Sequence, residues 1–139
     1  MILPDDRLPL GGSTAAHSRC VLVVDDEETV RRFAARVLTS DGYQVHEAED
    51  GLAALALLRS GTGLVDCVVS DIVMPRLDGV RLLEELVREA PGLPVILMSG
   101  YGAAQLADRG IAAPCAVLQK PFHPDRLLDE VRRCLASRL

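Results

Sequence analysis

Aromatic residues are scarce in this chain of 139 residues: there is no Trp, and only Phe33, Phe122, Tyr43 and Tyr101. A core must therefore be filled by Val, Leu, Ile and Ala. The hydrophobic share of 49% supplies enough of them for one domain to fold without cross-links. Basic clusters are missing too. Lys and Arg number 15 against 20 Asp and Glu, for a formal charge of −5. Pairs such as Arg31-Arg32 and Arg132-Arg133 read as solvated helix faces, not as a stripe for nucleic acid. No apolar run nears the roughly 20 residues of a membrane span. Asp5 and Asp6 come early and no apolar segment of a signal peptide follows, so a cytoplasmic location is expected. None of Cys20, Cys67, Cys115 and Cys134 forms a CxxC, and no His stands at metal-ligand spacing from them. They are expected to be small buried hydrophobes, reduced in the cell.

Residues 1–18 hold Pro4, Pro9, Gly11, Gly12, Ser13 and Thr14 with little periodicity, and are expected to be a flexible linker or tail. A domain spanning 19–139 follows, in which strand-like and helix-like patterns alternate. Strands are expected at 20–25, 43–47, 65–70, 93–98 and 115–118. Val30, Phe33, Ala34, Val37 and Leu38 make the apolar stripe of a first helix. Leu52, Leu55, Ala56 and Leu58 mark a second. Asp78 is a candidate N-cap for a third, with Leu82, Leu83, Leu86 and Val87 facing the core. A weak fourth helix is expected at 103–109, and a last one from Pro124, a good first-turn residue. Alternation of this kind predicts an α/β fold with a doubly wound parallel sheet covered on both faces. In such a sheet, ligands bind at the carboxyl ends of the strands.

Chemistry-bearing residues fall at those ends: Asp25 and Asp26 after the first strand, Asp71 after the third, Ser99 after the fourth and Lys120 after the fifth. Each alone has a plain explanation. Asp25, Asp26 and Glu27 suit a helix N-terminus through the macrodipole, Asp71 a loop before Pro75, Ser99 a turn beside Gly100, and Lys120 the surface. Together they point elsewhere. Crowded carboxylates repel unless a hard cation sits among them, and Mg²⁺ accepts such an oxygen set. A lysine beside them suits an incoming anion. The combination is that of a site for receiving a phosphoryl group.

Four segments carry a resemblance: Val-Val-Asp-Asp-Glu at 23–27, Ser-Asp-Ile-Val-Met-Pro-Arg-Leu-Asp-Gly at 70–79, Met-Ser-Gly-Tyr at 98–101 and Gln-Lys-Pro-Phe at 119–122. In this order the chain resembles the receiver domain of two-component response regulators, over about 19–139. It is most similar to the C-terminal receiver of hybrid sensor histidine kinases. The resemblance implies a five-stranded, flavodoxin-like sheet in the order 2-1-3-4-5. It implies that Asp71 is the phosphoacceptor, that Asp26 binds Mg²⁺ directly and Asp25 through water, and that the Val73 carbonyl adds an oxygen. Ser99 would hydrogen-bond the phosphoryl group and Lys120 would pair with it, held by a cis Lys120–Pro121 bond. The implied partner is a histidine kinase or a histidine phosphotransfer protein, with no nucleic acid or membrane bound by this domain. A homodimer through the face of the fourth helix, fifth strand and last helix is a further implication.

Val117 stands where many receivers have an aromatic switch residue, so output is expected from the 99–102 loop and the fourth helix. Val73 and Tyr101, each two residues beyond a site residue, are bulky enough to hinder attacking water, which predicts an acyl phosphate lasting minutes or more. His17, His46 and His123 lie in no phosphorylatable helix motif, so the domain is expected to accept phosphoryl groups and to catalyse only its own phosphorylation and dephosphorylation. A haloacid-dehalogenase-type phosphatase would need an Asp where Val73 stands. A flavin mononucleotide site would be repelled by Asp25, Asp26 and Glu27. The contexts that remain are a hybrid kinase, which is favoured, a stand-alone regulator, a regulator fragment, and an interaction module that needs no phosphorylation.

Overall fold

Strand runs that are apolar at every position bury both faces of a sheet, and so they do in a computed structural model, which describes residues 19–60, 65–100 and 114–137. The elements in chain order are β1 (Cys20–Val24), α1 (Glu28–Ser40), β2 (Gln44–Ala48), α2 (Gly51–Arg59), β3 (Cys67–Asp71), α3 (Gly79–Glu89), β4 (Val95–Ser99), β5 (Ala116–Gln119) and α4 (Pro124–Ala136). All strand pairs are parallel, in the order β2-β1-β3-β4-β5. The expected helix at 103–109, Tyr101 and the tail at 1–18 lie outside the described residues.

Alternate strand residues feed two cores. Leu22, Val24, Val68, Val95 and Leu97 point to one face, against Ala54 and Leu55 of α2 and Leu82, Leu83 and Leu86 of α3. Val21, Val23, Cys67, Val69, Ile96 and Met98 point to the other, against Ala34 and Leu38 of α1 and Leu127, Val131 and Leu135 of α4. Aliphatic side chains thus close both layers, as the lack of aromatics requires.

Four residues of the helix stripes turn outward, the small Ala56 among them. Phe33 (42%), Leu52 (48%) and Val87 (43%) are exposed. A helix lying on a sheet buries only its central stripe, and these residues stand at its margins. Several strands begin and end one or two residues later than the apolar runs suggest. Asp71 and Ser99 are consequently the last residues of β3 and β4, not the first of the loops.

Two of the four cysteines depart from expectation. Cys115, just before β5, and Cys134, in α4, form a disulfide across 19 positions. Their Cα atoms are 6.1 Å apart, within bonding range. Sequence spacing carries no sign of this, because β5 and α4 meet only through the packing of α4 on the sheet. Cys20 and Cys67 are in no disulfide and are buried, as expected.

Candidate functional site

Parallel register brings the separated residues to one edge. Val24 lies opposite Ser70, Asp71 opposite Met98, and Ser99 opposite Gln119. Asp25, Asp71, Ser99 and Lys120 therefore share one end of the four strands β1, β3, β4 and β5. The backbone tightens the last step: the Lys120 amide donates to the Ser99 carbonyl at 2.7 Å. The Lys120–Pro121 peptide is cis.

Asp25 is fully buried. Its Oδ1 accepts from the Glu27 amide at 2.9 Å, and its Oδ2 accepts from Lys120 Nζ at 3.0 Å. Its carbonyl receives the Arg31 guanidinium at 3.0 Å, so the loop entering α1 is fixed on both sides. Lys120 Nζ also lies 3.2 Å from Asp71 Oδ1. Asp71 is half-buried, and its Oδ1 accepts from the Ile72 amide at 2.9 Å. Asp26 is exposed beside them. One oxygen from each of Asp25, Asp26 and Asp71 falls within 4.8 Å of the others.

Burial, then the nearby Asp25 charge, raises the pKa of Asp71, outweighing Lys120 and the Ile72 amide. Burial works against the charge on Lys120, but Asp25 and Asp71 overcome it and raise its pKa. Three carboxylates around one ammonium leave an excess of negative charge in a partly dry site. All-oxygen donors at this spacing fit a small hard divalent cation.

Local backbone explains why Asp71 can sit so close to a helix. The Gly79 amide donates to the Ile72 carbonyl at 2.8 Å. A Cβ at Gly79 would stand 2.2 Å from the Asp71 carbonyl oxygen, so only glycine permits this approach. Ser99 is buried at 2%. Val73 is 64% exposed, in the loop after Asp71. Val117 is half-buried and packs on the α2–α3 face of the sheet.

One feature escapes the sequence. Beside Lys120, an open groove of about 470 Å³ is lined by Glu27, Thr29, Val30, Phe33, Pro121 and Phe122. The rings of Phe33 and Phe122 are 6.2 Å apart. Periodicity places Phe33 in the apolar stripe of α1; its ring partner is 89 positions away, and only the fold reveals the pair.

Residues 21–132 match the family model described as response regulator receiver domain. Among curated relatives, the sensor kinase CckA of Brucella abortus (strain 2308) is 42% identical over 120 residues, which is 85% of this chain and 13% of that protein. The response regulator MprA of Mycobacterium sp. (strain KMS) is 35% identical over 116 residues, 83% of this chain and 50% of that protein. The chain thus spans half or less of the length of these relatives. Among solved structures, a response regulator receiver protein from Sinorhizobium medicae WSM419 superimposes with a TM-score of 0.79 at 29% identity, covering 88% of this chain and 98% of that one. The receiver domain of NtrX from Brucella abortus gives 0.74 at 34%, covering 84% and 98%. The response regulator TrrA from Thermotoga maritima, in complex with Mg²⁺-BeF, gives 0.74 at 30% with the same coverage.

Proposed function

This chain belongs to the response regulator receiver domain family, and on that premise we propose that residues 19–139 form a phosphoacceptor domain of a two-component phosphorelay, with Asp71 as the acceptor. The observation that carries the reading is the contact of Lys120 with both Asp25 and Asp71, beside a third carboxylate. Among the described residues, no helix is long and apolar enough to cross a membrane; a cytoplasmic location is part of this proposal.

Asp25, Asp26 and Asp71, with the Val73 carbonyl, would hold Mg²⁺, which when bound neutralises charge on the transferring phosphoryl oxygens. An Asp71 oxygen attacks phosphorus. The new O–P bond forms as the donor's N–P bond breaks, and the electron pair returns to the donor imidazole. Lys120 turns from Asp71 toward the phosphoryl oxygens, and Ser99 donates its hydroxyl to one of them. Catalysis here is mainly positioning and charge neutralisation. The chain has no further enzymatic role in this reading.

A histidine kinase or phosphotransfer protein is the donor, and the groove with Phe33 and Phe122 beside Lys120 offers it an apolar contact. Similarity to the CckA sensor kinase favours a hybrid-kinase context. With Val117 in the aromatic position, output is carried by the loop after Ser99. The face made by the helix expected at 103–109, β5 and α4 is the proposed dimer surface; residues 103–109 lie outside the described residues.

Mass spectrometry after incubation with acetyl phosphate and Mg²⁺ tests the reading. The wild type should gain one phosphoryl group, and Asp71→Asn should gain none. A wild type that stays unmodified would point to a phosphorylation-independent interaction module. An Asp71→Asn variant that is still modified would place the acceptor elsewhere.

A further inference from the structure

Arg76 is the one non-glycine residue among the described residues with positive φ, at 67°. It lies in the 72–78 loop that leaves Asp71 and carries Val73. Bulky side chains avoid this backbone region, and glycine or asparagine enters it more freely. Something must hold an arginine there, and the structure shows what does. Arg76 Nε donates to Asp50 Oδ2 at 2.8 Å, and its Nη2 makes a second, closer contact with the same oxygen.

Asp50 is 2% exposed. Its other oxygen caps α2, accepting from the Ala53 amide at 2.8 Å. Burial works to raise its pKa, but the Ala53 amide and the Arg76 guanidinium prevail and lower it. It is therefore a buried anion tied to the acceptor loop. The next residue repeats the attachment through backbone. The Gly51 amide donates to the Leu77 carbonyl at 3.0 Å. A Cβ on Gly51 would lie 2.3 Å from that oxygen, so α2 and the loop touch backbone to backbone. At its far end the loop closes through the Gly79 amide on the Ile72 carbonyl.

We propose that Asp50 and Arg76 are positioning residues that latch the acceptor loop to the start of α2, and so fix where Val73 presents its carbonyl beside Asp71. The consequence for the cation rests on the function proposed above; the latch itself does not. Neither residue touches the reacting atoms. Outer partners of metal ligands, when removed, typically weaken binding about 10- to 100-fold. Since the latch acts through several bonds of backbone, the low end applies.

The test uses Arg76→Gly, Arg76→Lys and Asp50→Asn in the full chain. Arg76→Gly accepts the positive φ and removes the ion pair. Asp50→Asn keeps a good N-cap and removes the charge. Two quantities are measured: Mg²⁺ affinity by calorimetry, and amide hydrogen exchange at Gly51 and Gly79 without metal. Arg76→Gly and Asp50→Asn should each bind Mg²⁺ about tenfold more weakly and exchange faster at Gly51, and any fall in melting temperature should come together with that loss of affinity. Arg76→Lys should recover part of the affinity. Unchanged exchange and unchanged affinity in both variants overturn the latch. A fall in melting temperature with unaltered Mg²⁺ affinity reduces the pair to a structural tie and overturns the positioning role. If the wild type itself binds no Mg²⁺, the proposed function fails and takes the role toward the cation with it, whatever the exchange data show.

Discussion

Replacing Lys120 by Ala should destabilise the metal-free protein and make it depend on Mg²⁺ for its fold. Its ammonium lies 3.0 Å from Asp25 and 3.2 Å from Asp71, with Asp25 fully buried and the lysine side chain 20% exposed. At an effective dielectric constant of about 20, each contact is worth roughly 5 kcal/mol of attraction. The cost of drying the ammonium offsets much of this. Breaking a buried pair costs about 3–5 kcal/mol, mostly from the charge left behind. With Lys120 partly wet, a loss of about 2–3 kcal/mol is expected, roughly 10 °C in melting temperature. Saturating Mg²⁺ should narrow the difference, because the variant's carboxylates meet no competing ammonium and so gain more from the ion than the wild type's do.

The pH dependence follows from the same contacts. The pKa of Asp71 is already raised in the fold by burial and Asp25, and Lys120 opposes the rise. Between the unfolded value of 3.8 and the raised folded value, the native state binds more protons than the unfolded state, so stability falls as pH rises through that window. Removing Lys120 extends the window upward, and the variant should regain stability on acidification before the wild type changes. Lys120 also has a raised pKa, so its contribution is complete below its ordinary value of 10.5 and is lost as pH rises through the folded value. The gap should close there as well. Urea denaturation followed by circular dichroism, with and without Mg²⁺ across this pH range, reads all three effects. A variant as stable as the wild type near neutral pH without metal, or one that gains no more from Mg²⁺, would mean that the Lys120 ammonium does not hold these carboxylates in place.

Asp26 is exposed and Asp25 buried, so the two neighbours should respond differently. Asp26→Asn should weaken Mg²⁺ binding in calorimetry while shifting stability by no more than about 0.5 kcal/mol; Asp25→Ala, which strips partners from Lys120 and the Glu27 amide, should cost about 2 kcal/mol or more. Val73→Asn should shorten the half-life of the acyl phosphate about tenfold, near 1.4 kcal/mol of barrier, in a phosphate-release assay, because a polar side chain there can guide the attacking water. Closing the loop between Cys115 and Cys134 should stabilise the oxidised protein by about 3 kcal/mol. Cys134→Ser should remove that increment in thermal melts, a reductant should remove it from the wild type, and the two losses should not add.

The sheet was legible because its strands are buried on both sides and interrupted by amphipathic helices, a pattern that few folds share. The acidic cluster was legible for a related reason: parallel strands end together, so residues that follow apolar runs meet without help from long-range detail. Asp25, Asp71, Ser99 and Lys120 needed nothing more than that. Phe33 was misplaced because periodicity marks which side of a helix is apolar, and cannot mark how wide the buried stripe is. The disulfide was missed because Cys115 and Cys134 are brought together by packing between a strand and a helix, and no local pattern encodes that. The Asp50–Arg76 contact belongs with these. Nothing near Arg76 in the sequence announces a positive φ or a buried partner 26 positions earlier.

What sequence could not supply was the balance of charge. A row of acids after a strand is equally consistent with a helix start or a cation site, and the choice turns on burial. Asp25 has no exposed surface, and Asp71 keeps little. Helix-dipole stabilisation of an exposed acid is worth about 0.3–1 kcal/mol, too little to retain a second carboxylate against Asp25 in a half-dry site. An acidic group that raises its neighbour's pKa is a liability to the fold unless something positive arrives. Lys120 answers part of that charge and no more. The remainder supports the divalent cation and phosphoryl group proposed for this edge, and it is why metal affinity and metal-free stability should move in opposite directions when Lys120 is removed.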